Sequence, residues 1–111
     1  MKPSITTNSQ SNDYSFKEMQ EVLKQYFSHI QLTYRVKSLG IFGSFVREEA
    51  TENSDLDILV EFEEEPKFRQ YMDLKFFLED LFKRPVDLVI KADIKPQIRE
   101  QILQEVVYIN E

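Results

Sequence analysis

Two aspartates, Asp55 and Asp57, are separated by one residue in a segment that alternates between polar and apolar side chains. On an extended strand, side chains two residues apart leave the same face, which places these carboxylates about 6–7 Å apart along the strand. Carboxylates that face the same way repel each other unless a cation lies between them, and Mg²⁺ favours oxygen ligands. The pair therefore predicts a divalent-metal site, although the solvated face of a sheet would show the same pattern.

Asp87 is a third carboxylate, and it interrupts the otherwise apolar segment Val86–Ile90. Aspartate is depleted in strands, so its presence there calls for an explanation. If this segment is a strand beside the one that holds Asp55 and Asp57, its alternation can place all three carboxylates on one face. Asp87 is thus a candidate third ligand, and an ordinary surface position is the alternative.

A Gly-Ser pair precedes the aspartates. The chain contains two glycines, Gly40 and Gly43, and Gly43 is followed by Ser44, where a short helix is predicted to begin. Unpaired N–H groups at a helix start attract anions such as a nucleotide phosphate, and glycine lets the backbone approach closely. The Ser44 hydroxyl and the fork-shaped guanidinium of Arg47 would add phosphate contacts. A plain strand-to-helix turn with a serine N-cap would have the same sequence.

The elements that position these residues follow from periodicity. Ser15 and Glu18 fit a capping box, and a first helix continues through apolar residues at helical spacing, namely Phe16, Met19, Val22, Leu23, Tyr26, Phe27 and Ile30. A short β-prone strand is predicted over Val36–Phe42, and a polar turn over Thr51–Ser54.

Asp55–Phe62 alternates as a strand, with its apolar face formed by Leu56, Ile58, Val60 and Phe62. A wide apolar arc predicts a helix over Lys67–Phe82, which the Arg84-Pro85 pair ends. Val86–Ile90 is predicted to be a third strand.

Asp93 is predicted to cap a last helix that has Pro96 in its first turn and an apolar face of Ile98, Ile102, Leu103, Val106 and Val107. The predicted order is α-β-α-β-α-β-α. This order predicts an α/β domain without an internal repeat.

Length and composition exclude several classes of protein. The chain has 111 residues and a net charge of −6, which allows one domain and argues against nucleic-acid binding by phosphate neutralisation. It has no cysteine and one histidine, His29, which exclude thiolate chemistry and a multi-histidine metal cage. It has no apolar run of membrane-spanning length or signal core. We expect a cytoplasmic protein with a flexible leader over residues 1–13 and a single domain over 14–111.

The two signals combine into a known pattern. Gly43-Ser44, ten residues and Asp55-Leu56-Asp57 fit the Gly-Ser-x10-Asp-x-Asp signature of the DNA polymerase β-like nucleotidyltransferases. The string GSFVREEATENSDLDILVEF, with Asp87 in PVDLVI, resembles the minimal nucleotidyltransferases and, among them, the MntA-type antitoxins encoded beside HEPN-domain (HepT) toxins. The resemblance extends from about Leu39 to Val107.

The resemblance implies the nucleotidyltransferase fold, an α/β (α+β) domain with a small mixed sheet of three or slightly more strands against which helices pack. It implies ATP as co-substrate with Mg²⁺, two ions being expected. Gly43 and Ser44 match the phosphate-binding pair, Asp55 and Asp57 the metal-binding pair, and Asp87 the third carboxylate. Asp87 is also the candidate general base. One departure is that Phe45, Glu48 and Glu49 follow the Gly-Ser pair, where family members often have small or basic residues.

The acceptor implied by the resemblance is a tyrosine hydroxyl of a HEPN-family ribonuclease toxin, which receives AMP and is neutralised within a hetero-oligomer. A chain of 111 residues leaves no room for an acceptor-holding second domain, so we expect the partner to present its own hydroxyl. Neither direct nucleic-acid binding nor a membrane is expected. Two alternatives stay open: an antitoxin that only binds and blocks its partner, and a nucleotidyltransferase acting on a small-molecule hydroxyl.

Overall fold

A computed structural model describes residues 14–109; the leader predicted over residues 1–13 lies outside the described residues. Its helices and strands alternate along most of the chain. In order they are α1 (Phe16–Tyr34), β1 (Val36–Phe42), β2 (Leu56–Phe62), α2 (Phe68–Phe82), β3 (Val86–Ile90), α3 (Pro96–Glu105) and β4 (Val107–Tyr108). Two short 3₁₀ turns, Gly43–Phe45 and Lys91–Asp93, follow β1 and β3.

The four strands form one mixed sheet in the order β3-β2-β1-β4. β1 is antiparallel to both β2 and β4, whereas β2 and β3 are parallel and are connected through α2. The predicted mixed α/β architecture is confirmed. The parallel pair matters most for the site, because it brings the two aspartate-bearing strands side by side.

The two faces of the sheet are covered differently. The larger core lies between the sheet and α1 and α2, and Ile58 and Val60 of β2 belong to it. Leu59 points to the opposite face, where it packs with Ile102 of α3 in a smaller cluster. Because side chains alternate along a strand, Asp57 shares the face of Leu59. The carboxylates therefore lie on the side that carries α3.

The first helix begins as the sequence predicts. The Ser15 hydroxyl accepts a hydrogen bond from the Glu18 N–H, and the Ser15 N–H donates to the Glu18 carboxylate, which completes the capping box. None of the helices within residues 14–109 is long and apolar enough to cross a membrane.

The predicted end of the chain was wrong in two respects. Lys95, not Asp93, occupies the N-cap position of the last helix, without a capping hydrogen bond from its side chain, and the helix ends at Glu105. Asp93 lies in the preceding 3₁₀ turn. Val107 then belongs to β4, which pairs with Gly40 and Ile41 of β1. β-branched and aromatic residues favour strands, and a neighbouring strand edge was available for pairing.

The helix predicted at Ser44 is also shorter than expected. It is a single 3₁₀ turn over Gly43–Phe45, and Arg47 lies in the irregular turn after it. Phe45 is buried in the larger core, so this side chain anchors the turn to the protein interior. Burial of Phe45 explains how a bulky residue is accommodated directly after the Gly-Ser pair.

Candidate active site

The structure brings the three predicted aspartates together. Asp57 of β2 is the direct register partner of Asp87 on the parallel strand β3, so their side chains leave the same face of neighbouring strands, about 4.8 Å apart at the backbone. Asp55 lies immediately before β2. Asp55 and Asp87 are exposed, and Asp57 is half-buried between them.

The electrostatics of this group show why a cation would be favourable. Burial, followed by the negative charges of Asp87 and Asp55, raises the pKa of Asp57 to about 6. A carboxyl with a raised pKa is one whose charged form is poorly stabilised by its surroundings. A divalent cation placed among these carboxylates would reverse the effect.

These carboxylates suit Mg²⁺ better than they suit a metal ion whose ligands all come from the protein. Within residues 14–109 there is no ready-made cluster of three acidic or imidazole ligands. Mg²⁺ is usually held by one or two carboxylates, with waters and substrate phosphates completing its shell. Asp57 with Asp55 or Asp87 meets that requirement, and Asp55 and Asp87 are exposed to solvent.

Gly43 places the backbone of the Gly-Ser turn directly against Asp57. Its φ of +80° lies in the left-handed region, which side chains with a Cβ rarely adopt. A Cβ added at Gly43 would also collide with the Asp57 carboxylate. Both observations explain why glycine is required here. Ser44 follows in the same turn, half-buried.

Glu105 is a site residue that the sequence did not reveal. The Gly43 N–H donates to Glu105 Oε2 at 2.6 Å, and Arg47 Nη1 donates to Glu105 Oε1 at 2.7 Å. The two donors expected to bind phosphate therefore hold a carboxylate from the end of α3. Gly43 and Glu105 are 62 residues apart, so no local pattern could have indicated the contact.

Arg47 also contacts one of the acidic residues noted after the Gly-Ser pair. Its Nε donates to Glu49 Oε1 at 3.0 Å. The hydrogen bond to Glu105, which has the larger effect, and the one to Glu49 both raise the pKa of Arg47. Glu48 is exposed and has a φ of +60°. Glu49 thus pairs with the guanidinium that the sequence assigned to phosphate.

Arg84 contacts both the turn that follows Gly43 and the residue that precedes Asp55. Its guanidinium lies over the Phe45 ring, 4.9 Å from the ring centre, and its Nη1 donates to the carbonyl of Ser54 at 2.9 Å. The first contact fixes the Gly-Ser turn, and the second fixes the residue before Asp55. Sequence reasoning assigned Arg84 only to the end of a helix.

The chain is similar to known proteins both in sequence and in fold. Residues 17–109 match the model of the nucleotidyltransferase domain family. The protein adenylyltransferase MntA of Thermococcus cleftensis is 40% identical over 95 residues, which cover 86% of this chain and 96% of that protein.

Two solved structures share the fold. A structure provisionally described as a minimal nucleotidyltransferase is 32% identical, with a TM-score of 0.71 over 85% of this chain and 95% of that one. An MNT antitoxin in complex with a tri-AMPylated HEPN toxin of Shewanella oneidensis is 17% identical, with a TM-score of 0.60 over 82% of this chain and 71% of that one. The family match, the relative and the aspartate geometry lead to one conclusion: this chain belongs to the nucleotidyltransferase domain family and, within it, to the protein adenylyltransferases of the MntA type.

Proposed function

We propose that this protein is an antitoxin that transfers AMP from ATP, with Mg²⁺, to a tyrosine hydroxyl of a HEPN-family toxin. The observation that carries the proposal is the register of Asp57 against Asp87, with the Gly43 backbone pressed against Asp57. The arrangement pairs a metal-binding face with an adjoining source of backbone N–H donors. The named activity of the MntA relative supports protein adenylylation.

Each group has a separate task in this reaction. Asp55, Asp57 and Asp87 would hold Mg²⁺, which when bound supplies positive charge to the triphosphate and stabilises the leaving pyrophosphate. Ser44 and the Gly43 backbone would orient the phosphates, with Arg47 adding a charged contact.

The chemical step needs one proton acceptor. The acceptor oxygen attacks the α-phosphorus, its bond to phosphorus forms as the bond to pyrophosphate breaks, and the hydroxyl proton passes to a base. Asp87 is exposed on β3, and β3 is an edge strand of the sheet. An approaching tyrosine can reach this carboxylate from solvent, so Asp87 is the base we assign.

The acceptor is expected to come from another molecule. A surface depression of about 620 Å³ lies by Glu61 and Lys91, at the opposite end of β2 from Asp55. It is therefore unsuited to hold an acceptor against the carboxylates. The structural neighbour in which an MNT antitoxin accompanies a tri-AMPylated HEPN toxin supports a toxin as the acceptor.

The charge of the protein suits such a partner. The net charge is −6, and the three consecutive acidic residues Glu63, Glu64 and Glu65 are exposed. A ribonuclease surface that binds RNA is basic, and charge complementarity accelerates association. We therefore expect a hetero-oligomer whose formation slows as salt concentration rises.

Intact-mass spectrometry tests the proposal directly. The protein is incubated with ATP, Mg²⁺ and its HEPN-type partner, and we expect one or more AMP units on the partner. Asp55→Asn and Asp57→Asn should abolish the addition while the complex still forms on size-exclusion chromatography. Inhibition of the toxin without any mass addition would instead establish a binding-only antitoxin.

A further inference from the structure

Glu105 holds two of the donors that the proposed function assigns to the phosphates of ATP. Both of its carboxylate oxygens are used, one by the Gly43 N–H and one by Arg47, and its side chain is only 15% exposed. Hydrogen bonds to a charged carboxylate are shorter and stronger than neutral ones. The contact is therefore a defined interaction between α3 and the Gly-Ser turn.

The same two donors cannot serve a phosphate at full strength while Glu105 holds them. The Gly43 N–H has a single proton, so a phosphate oxygen placed on it would have to displace Glu105 Oε2. A phosphate near Arg47 would also meet the negative charge of Glu105 at close range, which is unfavourable.

We propose that Glu105 is a resident anion that holds Gly43 and Arg47 in the nucleotide-free protein and is displaced by the triphosphate of ATP, so that it sets the affinity for nucleotide. This inference rests on the proposed function, because it takes ATP as the ligand. Glu105 is a positioning residue that acts through Gly43 and Arg47.

The position of Glu105 allows it to move without disturbing the fold. It is the last residue of α3, and Val106, which follows, is already extended with φ −64° and ψ 138°. Rotation of the Glu105 side chain toward solvent leaves β4 and its pairing with Gly40 intact. Gly43 and Arg47 are then released to bind the phosphates.

Glu105→Gln is the variant that separates charge from shape. Its amide keeps the size of the side chain but loses the negative charge that competes with phosphate. We expect it to bind AMP-PNP with Mg²⁺ about 5- to 10-fold more tightly than the unaltered protein, measured by isothermal titration calorimetry. Glu100→Gln is the matched control, because Glu100 lies exposed on the same helix and the substitution makes the same change in net charge. We expect its affinity to be unaltered.

NMR of the Gly43 amide gives a second measurement that does not depend on catalysis. The chain has two glycines, so the resonance is readily assigned. Without nucleotide, the Gly43 amide proton should resonate further upfield in Glu105→Gln than in the unaltered protein, because the charged acceptor is gone. Glu105→Asp keeps the charge on a shorter side chain and should give intermediate nucleotide affinity. It keeps the test available if Glu105→Gln does not fold.

The outcomes distinguish this inference from the proposed function. Equal or weaker AMP-PNP binding by folded Glu105→Gln would overturn it and make Glu105 a fixed brace, even if AMP transfer to the toxin proceeds. Tighter binding by Glu105→Gln would uphold it even if no AMP reaches the toxin, in which case only the assigned transfer fails.

Discussion

Gly43 approaches Asp57 so closely that a methyl group on Gly43 would overlap the Asp57 carboxylate. The Gly-Ser turn and the strand that carries Asp57 thus pack so closely that no space is left for an added atom between them. Gly43→Ala should lower the rate of AMP transfer by about 100-fold or more, because a displacement of about 1 Å in a site of this kind has that effect. The rate is measured per folded molecule, with circular dichroism reporting the folded fraction. An activity close to that of the unaltered protein would contradict the assigned role of the turn.

Asp57→Asn should make the metal-free protein more stable at neutral pH while it removes activity. The pKa of Asp57 in the folded protein is about 6, against an ordinary value of 3.8. The protonated carboxyl therefore favours folding below about pH 4, and this contribution is lost as the pH rises through about 6. The free energy of unfolding of Asp57→Asn should therefore exceed that of the unaltered protein. This difference should increase between about pH 4 and about pH 6 and then level off at about 1 kcal/mol, after allowance for solvent screening.

Chemical denaturation in EDTA between pH 4 and pH 8 measures this effect. Saturating Mg²⁺ with AMP-PNP is the control condition. Ligands that bind only the folded state stabilise it, so under this condition the unaltered protein should have the higher free energy of unfolding. If the difference in the free energy of unfolding between the two proteins does not change with pH, the surroundings of Asp57 do not destabilise its charged form.

Gly40→Ala should destabilise the sheet edge at β4. A Cβ at Gly40 would run into the Val106 side chain and approach the Val107 carbonyl at 3.2 Å. Overpacking of this kind typically lowers the free energy of unfolding by about 1–3 kcal/mol. Thermal unfolding measures this loss of stability. A melting temperature equal to that of the unaltered protein would show that β4 can shift to accept the added Cβ without destabilising the fold.

Glu79→Gln should destabilise the outer edge of β3. Glu79 Oε2 accepts a hydrogen bond from Lys75 at 2.8 Å and another from the Val86 N–H at 3.0 Å. The hydrogen bond from Lys75, which has the larger effect, and the one from the Val86 N–H both lower the pKa of Glu79. Their stabilisation is present above pH 4.5 and is lost as the pH falls through the lower pKa of the folded state. We expect a loss of about 1 kcal/mol at pH 7.

The comparison for this edge is Tyr71→Phe. The Tyr71 hydroxyl donates to the Leu88 carbonyl at 2.5 Å, so its removal should weaken the same edge without introducing a dependence on acidic pH. Denaturation at pH 7 and pH 3 separates the two variants. If Glu79→Gln loses the same free energy at both values, the charge of Glu79 is not what secures β3.

Sequence reasoning succeeded where the evidence is local. The capping box of Ser15 and Glu18 and the alternation along β2 are read within a few residues, and the structure confirms both. The sequence made the grouping of Asp87 with Asp55 and Asp57 conditional on neighbouring strands, and the parallel pairing of β2 with β3 meets that condition. Their roles in metal binding and catalysis stay predictions.

The failures concern contacts that are distant in sequence. β4 has two residues, and it exists because β1 offers an edge and Gly40 leaves space beside it. Glu105 reaches Gly43 only after the whole sheet has assembled. Arg84 likewise acquires its role from Phe45 and Ser54, which lie 39 and 30 positions away. Such relationships follow from tertiary structure and have no periodic signature.

The contact between Gly43 and Glu105 has a kinetic consequence. It closes a segment of 62 residues, and contacts of large sequence separation form late because loop closure must be offset first. The β2–β3 pairing that joins Asp57 to Asp87 also links positions that are distant in sequence, because α2 lies between the two strands. A chain in which neither contact has formed would lack both the grouped aspartates and the hydrogen bond that joins Glu105 to the Gly-Ser turn. Recovery of nucleotide binding after dilution from denaturant should lag behind recovery of helical circular dichroism, so that the enzyme gains function only in its final folding step.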